Sequence, residues 1–93
     1  MSIEEIKNAV MSVVGKYPIS RVVLFGSRAN GTARADSDVD FVIEFSSAVT
    51  LITIAEITQT LETLLHTSVD IIHGPLKSSD LIEVDKEIEI YAA

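Results

Sequence analysis

The sequence predicts an α/β fold in which helices pack against a small, mixed, three-stranded sheet. Amphipathic segments of helical period alternate along the chain with short β-branched runs. Hydrophobic residues make up 47 % of the 93 residues, which is enough for one core. We therefore expect a single domain over residues 1–93, with its elements in the order α-β-α-β-α-β-α.

The first half of the chain predicts a helix, a strand and a short second helix. Ser2 and Glu5 have the spacing of a capping box, and the apolar residues that follow share one helical face until Gly15 and Pro18. The unbroken apolar run over residues 21–25 is typical of a strand that is covered on both faces. It leads into a segment, residues 27–33, that is long enough for about two turns of helix.

The second half predicts two strands and two helices. Residues 39–45 alternate as a strand does, and residues 51–65 place leucine and isoleucine at helical spacing. A third strand covers residues 69–73. Ser79 can cap a last helix whose inward residues are expected to be Leu81, Val84, Ile88 and Tyr91.

Composition excludes several classes of protein. The 7 basic against 14 acidic residues give a net charge of −7, which argues against a nucleic-acid coat protein. Since there is no cysteine, disulfides, thiolate zinc sites and thiol catalysis are excluded. No signal peptide or membrane span is recognisable, so we expect a cytoplasmic protein without direct contact to nucleic acid or membrane.

We expect the functional residues in two places, directly after the first predicted strand and at the start of the second. Gly26 and Ser27, between a strand and a predicted helix, let backbone N–H groups approach a phosphate closely. Asp38 and Asp40 point off one face of the second strand, about 7 Å apart. If the third strand lies beside the second, Asp70 completes a cluster of three carboxylates, the ligands that Mg²⁺ prefers. Two such ions would serve an in-line displacement at phosphorus.

These residues resemble the signature of nucleotidyltransferases of the DNA polymerase β type, and within them the minimal nucleotidyltransferases. That signature is Gly-Ser, ten residues and Asp-x-Asp, followed by an aspartate in a later strand. Here Gly26-Ser27 is followed by residues 28–37, then by Asp38-Val39-Asp40, with Asp70 as the later aspartate. The resemblance implies the nucleotidyltransferase fold over the whole chain.

The resemblance also implies an activity and the roles of the site residues. Small members of the family look like antitoxins that transfer AMP from ATP to a tyrosine of a HEPN-type ribonuclease toxin. On this interpretation Gly26 and Ser27 hold the triphosphate, the first two aspartates bind both metal ions, and Asp70 binds the catalytic one. Arg28 is a further candidate for contact with the phosphates. Asn30 departs from the family, in which many members carry arginine at this position.

Two other functions stay open at this point. The chain could be an inactive binding module that neutralises the toxin by occlusion, or it could transfer a nucleotide to a small molecule. The excess of acidic residues over residues 80–89 could be a solvated helix face or a docking surface for a basic partner. His66 and His73 are expected to be surface or capping residues rather than metal ligands.

Overall fold

The computed structural model describes residues 1–26, 38–74 and 87–93. Within these ranges the elements are α1 (Ile3–Val14), β1 (Ile19–Phe25), β2 (Val39–Phe45), α2 (Leu51–Leu65), β3 (Val69–His73) and β4 (Glu87–Ala92). The strands form one mixed sheet in the order β3-β2-β1-β4. Neighbours β2 and β3 are parallel, and the other pairs are antiparallel. The predicted α/β class is confirmed, with one strand more than expected.

Both described helices begin at the capping residues that their sequences provide. The Ser2 hydroxyl accepts the Glu5 N–H at 3.1 Å at the start of α1, as the capping-box spacing predicts. The Thr50 hydroxyl accepts the Thr53 N–H at 3.2 Å at the start of α2. This second helix ends at His66, whose φ of 55° is left-handed and stops the helical path.

The core lies between the two helices and one face of the sheet. Apolar residues at helical spacing on α1 and α2 meet every second residue of the central strands. The largest fully buried members are Phe41, Ile6, Leu24, Ile43, Ile57 and Leu61. No helix in the described part of the chain is long and apolar enough to cross a bilayer.

The opposite face of the sheet is also partly covered. Val23 and Val42 are paired across β1 and β2, are only 3 % and 7 % exposed, and point away from the helices. Gly74 packs closely on Val42, since a Cβ on this glycine would lie 2.7 Å from the valine Cγ1. Strand β1 is thus buried on both faces over residues 22–24, as its apolar run predicts, whereas Arg21 is partly exposed. This second face carries Asp40 and the polar residues discussed below.

The expected last helix is wrong where the structure describes it. Residues 87–92 form strand β4, which pairs antiparallel with β1, and the sheet therefore has four strands rather than three. The run Glu-Ile-Glu-Ile over residues 87–90 alternates with period two, exposing the glutamates and turning Ile88 and Ile90 toward the core. A bulge between Val23 and Val22 shifts the register, so that Tyr91 also packs on the core.

Helical spacing was misleading here because Ile88 and Tyr91, three residues apart, fit one face of a helix, whereas Ile88 and Ile90 fit one face of a strand. Pairing with β4 supplies hydrogen-bond partners to the side of β1 that β2 leaves open. The rest of the predicted last helix and the short helix over residues 27–33 lie outside the described residues. Glu89, one of the acids expected on a helical face, instead contacts Arg21 of β1 at 2.9 Å.

Candidate active site

Three aspartates come together at one end of the sheet. Asp38 immediately precedes β2, Asp40 is the second residue of that strand, and Asp70 is the second residue of β3. The register of the parallel pair places Asp40 directly opposite Asp70. Residues paired in this way share a face about 4.8 Å apart. The expectation that β3 lies beside β2 and brings Asp70 to the other carboxylates is confirmed.

Gly26 lies against this cluster from the neighbouring strand. It follows Phe25, which is paired with Asp40, and it has a positive φ of 79°. A Cβ at this position would lie 2.8 Å from the Asp40 Oδ2, closer than real contacts allow. Glycine is therefore required both by the backbone turn and by the adjacent carboxylate. Ser27 and Arg28 lie outside the described residues, so their predicted phosphate contacts stay predictions.

The cluster is electrostatically unfavourable when no cation is bound. Burial raises the pKa of Asp40, and the charges of Asp70 and Asp38 and a hydrogen bond with Asp70 raise it further. Asp38 and Asp70 themselves are exposed. Bringing like charges together next to a half-buried carboxyl costs native-state stability, and a bound cation would offset that cost.

The oxygen donors fit a hard divalent cation such as Mg²⁺. Nevertheless, within residues 1–26, 38–74 and 87–93 no group of three acidic or histidine side chains is already placed to bind one metal ion. Small side-chain rotations of the exposed aspartates would have to accompany metal binding. His66 and His73 contribute nothing to this site: His66 caps α2, and His73 stacks edge-on against Phe45 at 5.2 Å. Both match the surface or capping role that was predicted for them.

With this geometry in place, comparison with known proteins identifies the fold family. Residues 4–90 match the family described as Polymerase beta, Nucleotidyltransferase. The chain belongs to this family. The Gly-Ser and Asp-x-Asp resemblance drawn from the sequence is thereby confirmed.

Two curated relatives are similar over most of the chain. A candidate protein adenylyltransferase of Methanocaldococcus jannaschii, MJ0435, is 32 % identical over 88 residues, which are 89 % of this chain and 95 % of the relative. The protein adenylyltransferase MntA of Thermococcus cleftensis is 32 % identical over 74 residues, covering 78 % of this chain and 75 % of the relative.

Solved structures share the fold at lower identity. A toxin–antitoxin structure with AMP-PNP matches with a TM-score of 0.77 and 21 % identity, covering 94 % of this chain and 73 % of that one. A complex of tri-AMPylated Shewanella oneidensis HEPN toxin with its MNT antitoxin matches with a TM-score of 0.70 and 17 % identity. It covers 98 % of this chain and 73 % of that one. At these identities the two structures support the fold of this family member.

Proposed function

We propose that this nucleotidyltransferase transfers AMP from ATP to a tyrosine of a HEPN-type toxin, with Mg²⁺, and thereby acts as its antitoxin. The observation that carries the proposal is the placement of Asp40 directly opposite Asp70, with Asp38 two residues away and Gly26 against the Asp40 carboxylate. Support comes from relatives named protein adenylyltransferases and from fold neighbours that include an AMPylated toxin complex. A cytoplasmic location is part of the proposal.

Each residue of the site has a role in the proposed reaction. Asp38 and Asp40 would hold two Mg²⁺ ions, and Asp70 would hold the one nearer the acceptor. When bound, these ions supply positive charge that stabilises the phosphates and lowers the pKa of the attacking hydroxyl. Gly26, which has no side chain, would let the triphosphate approach the backbone at the end of β1. Ser27 and Arg28 are proposed to contact the same phosphates.

The proposed reaction is a displacement at the α-phosphorus of ATP. The tyrosine oxygen forms a bond to this phosphorus while the bond from phosphorus to the bridging oxygen breaks, and pyrophosphate leaves. The proton of the tyrosine hydroxyl passes to the Asp70 carboxylate and then to solvent. Asp70 is suited to this step because its side chain is exposed on β3, which is an edge strand among the described strands.

The test combines the protein with the product of its neighbouring gene, ATP and Mg²⁺, and records the intact mass of that partner. Each transferred AMP should add about 329 Da through the phosphoryl transfer described above. The double variant Asp38→Asn, Asp40→Asn should lose at least about 100-fold in rate. A matched control, Glu4→Gln on the exposed first turn of α1, should keep the wild-type rate.

Other results would contradict the proposal. A mass adduct that forms equally well with the double aspartate variant would remove the metal site from the mechanism. Neutralisation of the toxin in cells by that variant, without any adduct on the wild-type partner, would favour occlusion by a binding module. An adduct on an added small molecule but not on the protein would favour the third function.

A further inference from the structure

Glu62 of α2 ties the end of this helix to the start of β3. Its backbone carbonyl accepts the His66 N–H at 2.8 Å, which closes the last turn of the helix. Its side-chain Oε2 accepts the Val69 N–H at 3.0 Å, at the first residue of the strand. One residue therefore fixes both ends of the short connection over residues 66–69.

Within the described residues, the Val69 amide has no strand partner besides β2, from which it points away, and the Glu62 carboxylate accepts it. The Val39 N–H donates to the Ser68 carbonyl at 2.9 Å, and Val39 is the register partner of Val69. In a parallel ladder with this bonding, the amide of Val69 points away from β2. Strand β3 lies at the edge of the described sheet, and Val69 is only 3 % exposed, so water reaches its surroundings poorly. A buried amide without an acceptor would be destabilising.

The next residue along the strand is Asp70. The position of Asp70 along the strand, relative to Asp40, depends on the register of β3 against β2. The first pair of that register is Val39–Val69. The chain before this pair enters from His66, which has a left-handed φ of 55°. The bond from Val69 to Glu62 acts together with the Val39–Ser68 bond at the start of β3, and it holds the residue that directly precedes Asp70.

We propose that Glu62 is a positioning residue for Asp70, acting through the Val69 amide on the carboxylate that completes the metal site. The inference rests on the proposed function, because it assigns Asp70 to that reaction. Glu62 touches neither Asp38 nor Asp40 in any described contact, and it lies on the half-exposed side of α2. Its effect on the site should therefore pass through β3, on which Asp70 is the next residue after Val69.

A double-mutant cycle between Glu62 and Asp70 tests this inference. Glu62→Ala removes the acceptor, whereas Glu62→Gln keeps a carbonyl oxygen that can accept the same amide. Glu56→Ala is the matched control, since Glu56 lies on the same helix but contacts the Tyr17 hydroxyl at 3.4 Å instead of the strand. Each variant is made with Asp70 intact and with Asp70→Asn, and all are assayed well below their melting temperatures.

Two readouts are recorded for each variant. The first is kcat and KM for AMP transfer, and the second is the Kd for Mn²⁺ in the presence of AMP-PNP. With Asp70 intact, Glu62→Ala should lower kcat about 10- to 100-fold and weaken Mn²⁺ binding about 10-fold, with KM for ATP changed less than about 3-fold. Glu62→Gln should stay within about 3-fold of wild type. With Asp70→Asn, Glu62→Ala should have no further effect on Mn²⁺ binding.

The outcomes separate this inference from the proposed function. If Glu62→Ala weakens Mn²⁺ binding equally with Asp70 and with Asp70→Asn, Glu62 has a purely structural role and the inference is overturned. Wild-type kcat and Mn²⁺ binding in Glu62→Ala would also overturn it. If the wild-type protein transfers no AMP but the Mn²⁺ cycle behaves as described, the proposed function fails and the positioning role stands. A wild-type protein that binds no Mn²⁺ with AMP-PNP would overturn both.

Discussion

Replacing Gly26 by alanine should damage both the turn after β1 and the carboxylate beside it. A residue with a side chain at the φ of 79° pays about 1–2 kcal/mol, and alanine recovers about 0.4–1 kcal/mol by restricting the unfolded chain. The net loss is about 1 kcal/mol, which lowers the Tm of a domain of this size by roughly 4–8 °C. The new Cβ would also lie 2.8 Å from the Asp40 Oδ2, whereas ordinary contact begins at 3.4 Å, so this oxygen must move.

The displacement should appear mainly in activity. The Asp40 oxygen is the far end of a side chain and can move about 0.6 Å to reach ordinary contact, but a metal ligand displaced by that amount no longer holds its ion correctly. We expect kcat for AMP transfer to fall by up to about 100-fold. Thermal unfolding by circular dichroism and the intact-mass assay measure the two effects.

Gly15→Ala is the matched control for this change. Gly15 has a φ of −82°, and a Cβ there would meet nothing within 4 Å. Its Tm should be unchanged or a few degrees higher, and its activity should be that of the wild type. If Gly26→Ala equals Gly15→Ala in both Tm and kcat, the argument that Asp40 requires a glycine beside it is wrong.

Two further predictions concern the charged face of the sheet. In EDTA at pH 7, Asp40→Asn should raise the free energy of unfolding by about 1 kcal/mol, the repulsion expected for screened charges about 5 Å apart. Because the pKa of Asp40 is raised in the native state, wild-type stability falls as the pH rises through that pKa. The stability gain of Asp40→Asn over the wild type should therefore vanish at a pH below the ordinary pKa range of aspartate. Urea titrations at this low pH and at pH 7 measure the gain, and an equal gain at both pH values would contradict the reasoning. Arg21→Met removes the ion pairs of Arg21 with Glu44 of β2 at 3.0 Å and with Glu89 of β4 at 2.9 Å. Because the Arg21 side chain is 42 % exposed, the free energy of unfolding should fall by less than about 1 kcal/mol. This loss should be smaller in 1 M NaCl. A loss that stays the same at both salt concentrations would instead point to packing of the arginine stem.

The sequence alone was sufficient for the parts of the fold that depend on local patterns. Three such patterns are the capping residue Ser2, the helical spacing of α2 and the alternation of β2. Each depends only on neighbouring residues, and each predicted its element correctly. The Asp-x-Asp spacing likewise fixed that Asp38 and Asp40 share an end of one strand. The failure at residues 87–92 has the same origin, since Ile88 and Tyr91 fit a helical face while Ile88 and Ile90 fit one face of a strand. Only pairing with β1 decides between the two patterns.

Tertiary structure decided everything that joins distant segments. The Asp40–Asp70 register depends on which strand lies beside β2, and residues 40 and 70 are separated along the chain by a whole helix. The same holds for the bond from Glu62 to Val69, because a glutamate on a helix gives no sign in the sequence of the amide that it will accept. Local patterns fix the period of each segment, whereas register and side-chain partners follow from how the segments bury their apolar faces against one another.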